Sequence, residues 1–168
     1  MLSGLRIDIA GRDDVPIILA FIQGLAEYER LRDKCVATED KLYRTLFGER
    51  AAAEVLIARV DDEPVGFALF FHNYSTFLAQ PGVYLEDLFV NEAGRGKGVG
   101  KALLSALARI AVERDCGRLE WAVLDWNENA IGFYRRLGAQ VMDEWTTYRL
   151  SGEPLAALAS ESISVSHD

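Results

Sequence analysis

Eight consecutive positions, Gly94-Arg95-Gly96-Lys97-Gly98-Val99-Gly100-Lys101, hold four glycines and three cations between two segments of different periodicity. Before them, Val83–Val90 (VYLEDLFV) has the apolar and β-branched character of a strand. After them, Leu103, Leu104, Leu107 and Ile110 recur at helical spacing over about Gly98–Asp115. Gly117 ends that helix, and Arg118–Asp125 (RLEWAVLD) reads as another strand. A strand, a glycine turn, a helix and a strand make a βαβ unit, whose two strands run parallel. Few folds accommodate such a unit, and all of them mix helices with a sheet.

The rest of the chain extends the same pattern. Leu5–Ala10 (LRIDIA) alternates apolar and polar residues and predicts a first strand. Asp13 and Asp14 precede a helix over about Val15–Leu31, with Ile18, Phe21, Ile22, Leu25 and Tyr28 on one face. Thr38 caps a second, short helix that Gly48 stops. Strands follow at Glu54–Val60 and from Val65 to about Asn73, then a loop over Tyr74–Gly82. Asn127 opens a helix that ends at Gly138, and Val141–Leu150 is expected to form a last strand. The predicted order is β-α-α-β-β-β-α-β-α-β, an α/β fold with a mixed sheet in one domain over residues 1–152. Residues 153–168 are expected to be a helical turn and a polar tail.

The glycine turn suits a phosphate. Free N–H groups at a helix start, the helix dipole and the cations Arg95, Lys97 and Lys101 all favour an anion. The spelling excludes two nucleotide loops. A P-loop ending at Gly100-Lys101 would need glycine where Arg95 stands and Ser or Thr where Ala102 stands. The dinucleotide fingerprint lacks its third glycine. What remains is Arg-x-x-Gly-x-Gly, carried by Arg95, Gly98 and Gly100.

Together, RGKGVG after LEDLFV and the segment WNENAIGFYRRLGA (Trp126–Ala139) resemble the GNAT acetyltransferases. The segments LAEYE (Leu25–Glu29), VGFALFF (Val65–Phe71) and YLEDLFV (Tyr84–Val90) resemble the spermidine/spermine, diamine and thialysine branch of that superfamily. The resemblance runs from about residue 5 to residue 150 and implies a sheet splayed at the cofactor site. It implies acetyl-CoA as cofactor, with its diphosphate on the amides of Arg95–Lys101. Its pantetheine arm would lie along a bulged strand at Leu88, Phe89 and Val90. Asn127 would contact the arm, and Tyr134 would lie near the sulfur. Tyr28, Glu29, Phe77, Glu86 and Asp87 would face the amine, and relatives in the branch form homodimers.

The implied reaction is direct acetyl transfer to an amine, and its chemistry needs a base. An alkylammonium has a pKa of about 10.4, so freeing the amine at pH 7 costs about 4.6 kcal/mol. Glu86, in an otherwise apolar strand, is the expected general base acting through a water. Asp87 is expected to stay charged and attract the substrate's second cation. Adjacent strand residues face opposite sides, so both acids serve one pocket only if the strand bulges there. Tyr134 is the expected acid to the departing thiolate, and a backbone N–H near Phe89 the oxyanion donor. Tyr134 and Asn127 also have local readings, as a core aromatic and a helix cap.

The amine itself is less constrained. The loop HNYSTFLAQPG has Ser75 where the polyamine branch suggests aspartate, and Phe77 in place of tryptophan. This favours a short diamine or a diamino acid such as ornithine, lysine or thialysine. The rival classes are a protein or peptide N-acetyltransferase and a non-catalytic CoA-binding sensor.

Composition excludes other partners. A net charge of −8 lacks the basic field of a nucleic-acid binder. The longest apolar runs fall far short of the ~20 residues of a membrane helix. Cys35 and Cys116 form no disulfide framework, and the N-terminus lacks a signal-peptide core, so a cytoplasmic location is expected. His72 and His167 are too few for a metal site, and no metal is expected.

Overall fold

The computed structural model describes residues 3–161. His167 and the end of the expected tail lie outside these residues. The coordinates divide into two compact units, Met1–Ala122 and Val123–Asp168.

The first unit is a five-stranded sheet flanked by three helices. Strands β1 (Leu5–Ile9), β2 (Glu54–Val60), β3 (Glu63–Ser75), β4 (Gln80–Val90) and β5 (Leu119–Trp121) lie side by side in chain order. The first four are antiparallel to their neighbours, and β5 runs parallel to β4. Helices α1 (Val15–Tyr28) and α2 (Glu39–Phe47) connect β1 to β2, and α3 (Val99–Glu113) crosses from β4 to β5. The parallel pair β4–β5 joined through α3 is the βαβ unit that the glycine turn predicted.

The core forms where apolar faces meet. Ile18 and Phe21 of α1, Leu42 and Leu46 of α2, and Val55, Ile57 and Phe67 of the sheet make one buried cluster. Burial of such side chains contributes about 1.5–3 kcal/mol each. The rings of Phe21 and Phe67 stack with centroids 5.4 Å apart. Thr38 caps α2 as expected, its hydroxyl accepting from the Lys41 N–H. At its far end α3 is clamped to β2, because Arg114 donates both Nη groups to Glu54 at 2.6 and 2.9 Å. That guanidinium holds the Glu54 carboxyl below the usual range.

The second unit carries α4 (Glu128–Arg136) and α5 (Gly152–Ser160). Asn127 caps α4, accepting from the Ala130 N–H at 3.3 Å. The expected strand over Val141–Leu150 is absent among the described residues, where 141–150 make a turn and irregular chain. Alternating residues favour extended backbone, but a strand exists only where a neighbour completes its ladder.

Two other expectations change. The loop over Tyr74–Gly82 is a tight hairpin, since β3 runs to Ser75 and β4 begins at Gln80. The strand over Arg118–Asp125 pairs at only three residues.

Candidate active site

A bulge in β4 organises the site. Leu69 faces Asp87 across the β3–β4 ladder, while Phe70 faces Leu85, so Glu86 is the extra residue. Hydrogen bonds on either side agree with this. The Val83 N–H points toward β5 and donates to Arg118, and the Asn91 N–H points toward β3 and donates to Val65. Eight residues apart on a regular strand they would point the same way; one inserted residue reverses the second.

The reversal has two consequences. The backbone of Leu88 and Val90 now faces the β5 side, where pairing has already stopped at Leu85–Trp121. A stretch of β4 therefore offers N–H and C=O groups at an open edge, which is the expected splay. Phe89 is the correction, because its backbone faces β3, opposite Phe67. Leu88 and Val90 are the residues whose backbone groups face that edge.

The second consequence concerns side chains. Leu88 and Val90 face α3, packing near Gly100. Phe89 faces α1, where its ring lies against Gly24, close enough that a side-chain Cβ there would sit 3.0 Å from it. Asp87 shares that face, being two residues earlier. The end of α1 meets it there with Tyr28 and Glu29.

The acids divide their properties differently from expectation. Glu86 is exposed, whereas Asp87 is half-buried. Burial, then Glu86 and then Glu29 push the Asp87 carboxyl up to about 6. Burial also raises Glu29. The environment predicted for Glu86 thus belongs to Asp87. The physical reason is the bulge, which leaves the inserted residue outside the ladder and returns the next one to the packed face.

The glycine turn closes the other end of the open edge. Asn91 holds it, its Oδ1 accepting from the Gly94 N–H at 3.1 Å and its Nδ2 donating to the Pro64 carbonyl. Gly96 and Gly98 have φ of +72° and +79°, and a Cβ at either would meet nothing within 4 Å. They are glycines for their left-handed backbone, which turns the chain into α3. Gly98 is the N-cap, so the first N–H groups of α3 at Val99, Gly100 and Lys101 have no partner within the helix. With Lys97 and Lys101 alongside, this end of α3 fits a diphosphate.

Arg95 behaves unlike the other two cations. Its backbone N–H is spent in the turn, on Asn91 and Glu92. Its Nε donates to the Val90 carbonyl at 3.1 Å. Its guanidinium lies over the rings of Tyr28 and Phe89, 5.5 and 5.9 Å from their centroids. The side chain is turned back onto the sheet.

Phe77 is not brought to the acids. It is 100% exposed at the hairpin tip. The six steps along β3 from Leu69, opposite Asp87, to Ser75 span roughly 20 Å at ~3.3 Å per residue. Tyr134 and Asn127 belong to the second unit, where the Tyr134 ring packs 5.5 Å from that of Phe133. Among the described residues no three His, Cys, Asp or Glu side chains gather as a metal site, and no helix is long and apolar enough to cross a membrane. Sequence reasoning missed Gly24, which lets α1 approach Phe89, and Asn91, which braces the turn. Asn91 was legible as an Asx-turn residue three positions before Gly94.

Comparison with known proteins agrees with this geometry. The profile of the Acetyltransferase (GNAT) family matches residues 22–139. An L-ornithine N5-acetyltransferase of Arabidopsis thaliana is 38% identical, over 91% of this chain and 87% of its own length. A thialysine N-epsilon-acetyltransferase of Bos taurus is 36% identical, over 90% of this chain and 95% of its own. Among solved structures, an integron cassette protein from the mobile metagenome of V. cholerae superposes with a TM-score of 0.80 at 30% identity, covering 95% of this chain and 100% of its own. The chain belongs to the GNAT acetyltransferase family.

Proposed function

We propose that this protein transfers the acetyl group of acetyl-CoA to a primary amine of a small diamino acid or diamine. The observation that carries the reading is the coincidence of three features on β4: the bulge at Glu86, the open edge at Leu88 and Val90, and the phosphate-suited end of α3. Acetyl-CoA supplies the acetyl thioester when bound. Lys97, Lys101 and the first N–H groups of α3 hold its diphosphate, and the backbone of Leu88 and Val90 holds its arm. One of those two N–H groups stabilises the oxyanion.

Glu29 and Asp87 hold the cationic substrate against Tyr28. Glu86, exposed beside them, accepts the ammonium proton through a water, and Tyr134 protonates the departing thiolate. The small-amine reading is supported by the carboxylates around Asp87 and by relatives named for ornithine and thialysine. We also propose a homodimer, as the resemblance implies, and a cytoplasmic location.

The test is thiol release from acetyl-CoA with a panel of ornithine, lysine, thialysine, putrescine, 1,3-diaminopropane, spermidine and a lysine peptide. Turnover with a small amine is expected, reduced about 10²–10⁴-fold in Glu86→Gln and in Tyr134→Phe. Preference for the peptide would replace the small-amine reading. CoA binding without turnover of any acceptor would make the protein a sensor.

A further inference from the structure

We infer that Arg95 is a positioning residue for the amine, and that its side chain serves the amine rather than the diphosphate. The inference rests on the function proposed above and deepens it. The motif alone would make Arg95 a phosphate cation equivalent to Lys97 and Lys101. The geometry separates it from them. Its Nε is bonded to the Val90 carbonyl, and its guanidinium covers Tyr28, the aromatic at the amine face. The planar group joins the end of α1 to the open edge of β4.

The turn does not need this side chain to hold its shape. Asn91 braces it through Gly94 and Pro64, and Gly96 and Gly98 supply its left-handed backbone. Losing the Arg95 side chain therefore leaves the diphosphate site built. What it removes is the cation over the Tyr28 ring, next in the chain to Glu29. The Val90 carbonyl has two lone pairs, so Arg95 and a cofactor arm can use it together. Arg95 is thereby a direct link between the arm and the amine wall. A lysine cannot copy this, because a single ammonium has no planar fork to bond the carbonyl and cover the ring at once.

The experiment compares Arg95→Met, Arg95→Lys and Lys97→Met by steady-state kinetics with ornithine and by calorimetry with CoA. For Arg95→Met the KM for ornithine is expected to rise roughly fivefold, the upper scale of an exposed guanidinium–aromatic contact. Its kcat and its CoA affinity stay within about threefold of wild type. Arg95→Lys behaves like Arg95→Met. Lys97→Met shows the reverse, with weakened CoA binding and an unchanged KM for ornithine. Tyr28→Leu raises the ornithine KM as Arg95→Met does, and the double variant is no worse than either alone.

The inference is overturned if Arg95→Met weakens CoA as much as Lys97→Met and Arg95→Lys restores it, which is how a phosphate cation behaves. It is equally overturned if the Tyr28 and Arg95 effects on ornithine add. Absence of turnover by the wild type with every amine sinks the proposed function instead. The CoA calorimetry then still decides whether the Arg95 side chain belongs to the diphosphate. Thermal melting of each variant identifies one that has failed to fold, and Tyr28→Leu then carries the amine half of the test.

Discussion

Asp87 shows how one inserted residue sets the chemistry. Its carboxyl, pushed up to about 6 by burial and by two neighbouring acids, is ionised at neutral pH and protonated just below it. In the proposed function, Glu29 and Asp87 hold a cationic amine, and they can do so only when charged. The kcat/KM for the amine should therefore fall as pH drops through about 6, and Asp87→Asn should lower kcat/KM at pH 7.5 and abolish that limb of the profile. Stability should change in the opposite direction. A carboxyl with a raised native pKa binds its proton more tightly in the folded chain than in the unfolded one. Stability contributed by that proton is full below pH ~4 and is lost as pH rises to about 6. Asp87→Asn should then be more stable than wild type at pH 7.5 by about 1–3 kcal/mol in urea unfolding, with no gain below pH ~4. Activity exchanged for stability at one position is the mark of a functional acid.

Among the elements, the turn before α3 shows that its glycines do different work. Gly98 adopts φ +79° in open space, so Gly98→Ala meets no neighbour and loses only backbone freedom. It should cost roughly 1–2 kcal/mol in stability and weaken CoA binding in calorimetry, since the turn delivers the first N–H groups of α3. Gly94 is buried with ordinary backbone, and a Cβ there would lie 2.8 Å from Val90 Cγ1 and 3.0 Å from Val65 Cβ. Gly94→Ala should push the turn off β3 and β4 and lower the melting temperature more than Gly98→Ala does. Both glycines were legible as punctuation in the chain. Which one is conformational and which is steric was not, because the atoms around Gly94 come from strands at residues 65 and 90.

For the molecule as a whole, the two units present different surfaces. In the first unit, α1 and α2 bury one face of the sheet and α3 packs on the other. In the second unit, Val141, Met142, Trp145 and Tyr148 expose their side chains within ten residues. Exposed apolar residues at this density suit the homodimer interface proposed above. A homodimer is expected, with a mass by light scattering twice the 18.7 kDa of the chain, and Trp145→Asp should shift it toward the monomer. A monomer at all concentrations would remove the dimer from the proposal.

The amino-acid sequence by itself determined the order of strands and helices as far as α4, the parallel pair around α3, the cap at Asn127, the glycine turn and the adjacent acids. Each is written in a few neighbouring residues, where periodicity, caps and glycine act locally. Only the tertiary structure decided that Asp87 rather than Glu86 is half-buried, that the backbone of Leu88 and Val90 rather than Phe89 faces the open edge, and that Arg95 turns back to Tyr28. It also decided that Phe77 stands far along the hairpin and that 141–150 carries no strand. These depend on ladder partners and packing from segments distant in the chain. A strand's register against its neighbour determines which groups face outward, and no local pattern encodes that register.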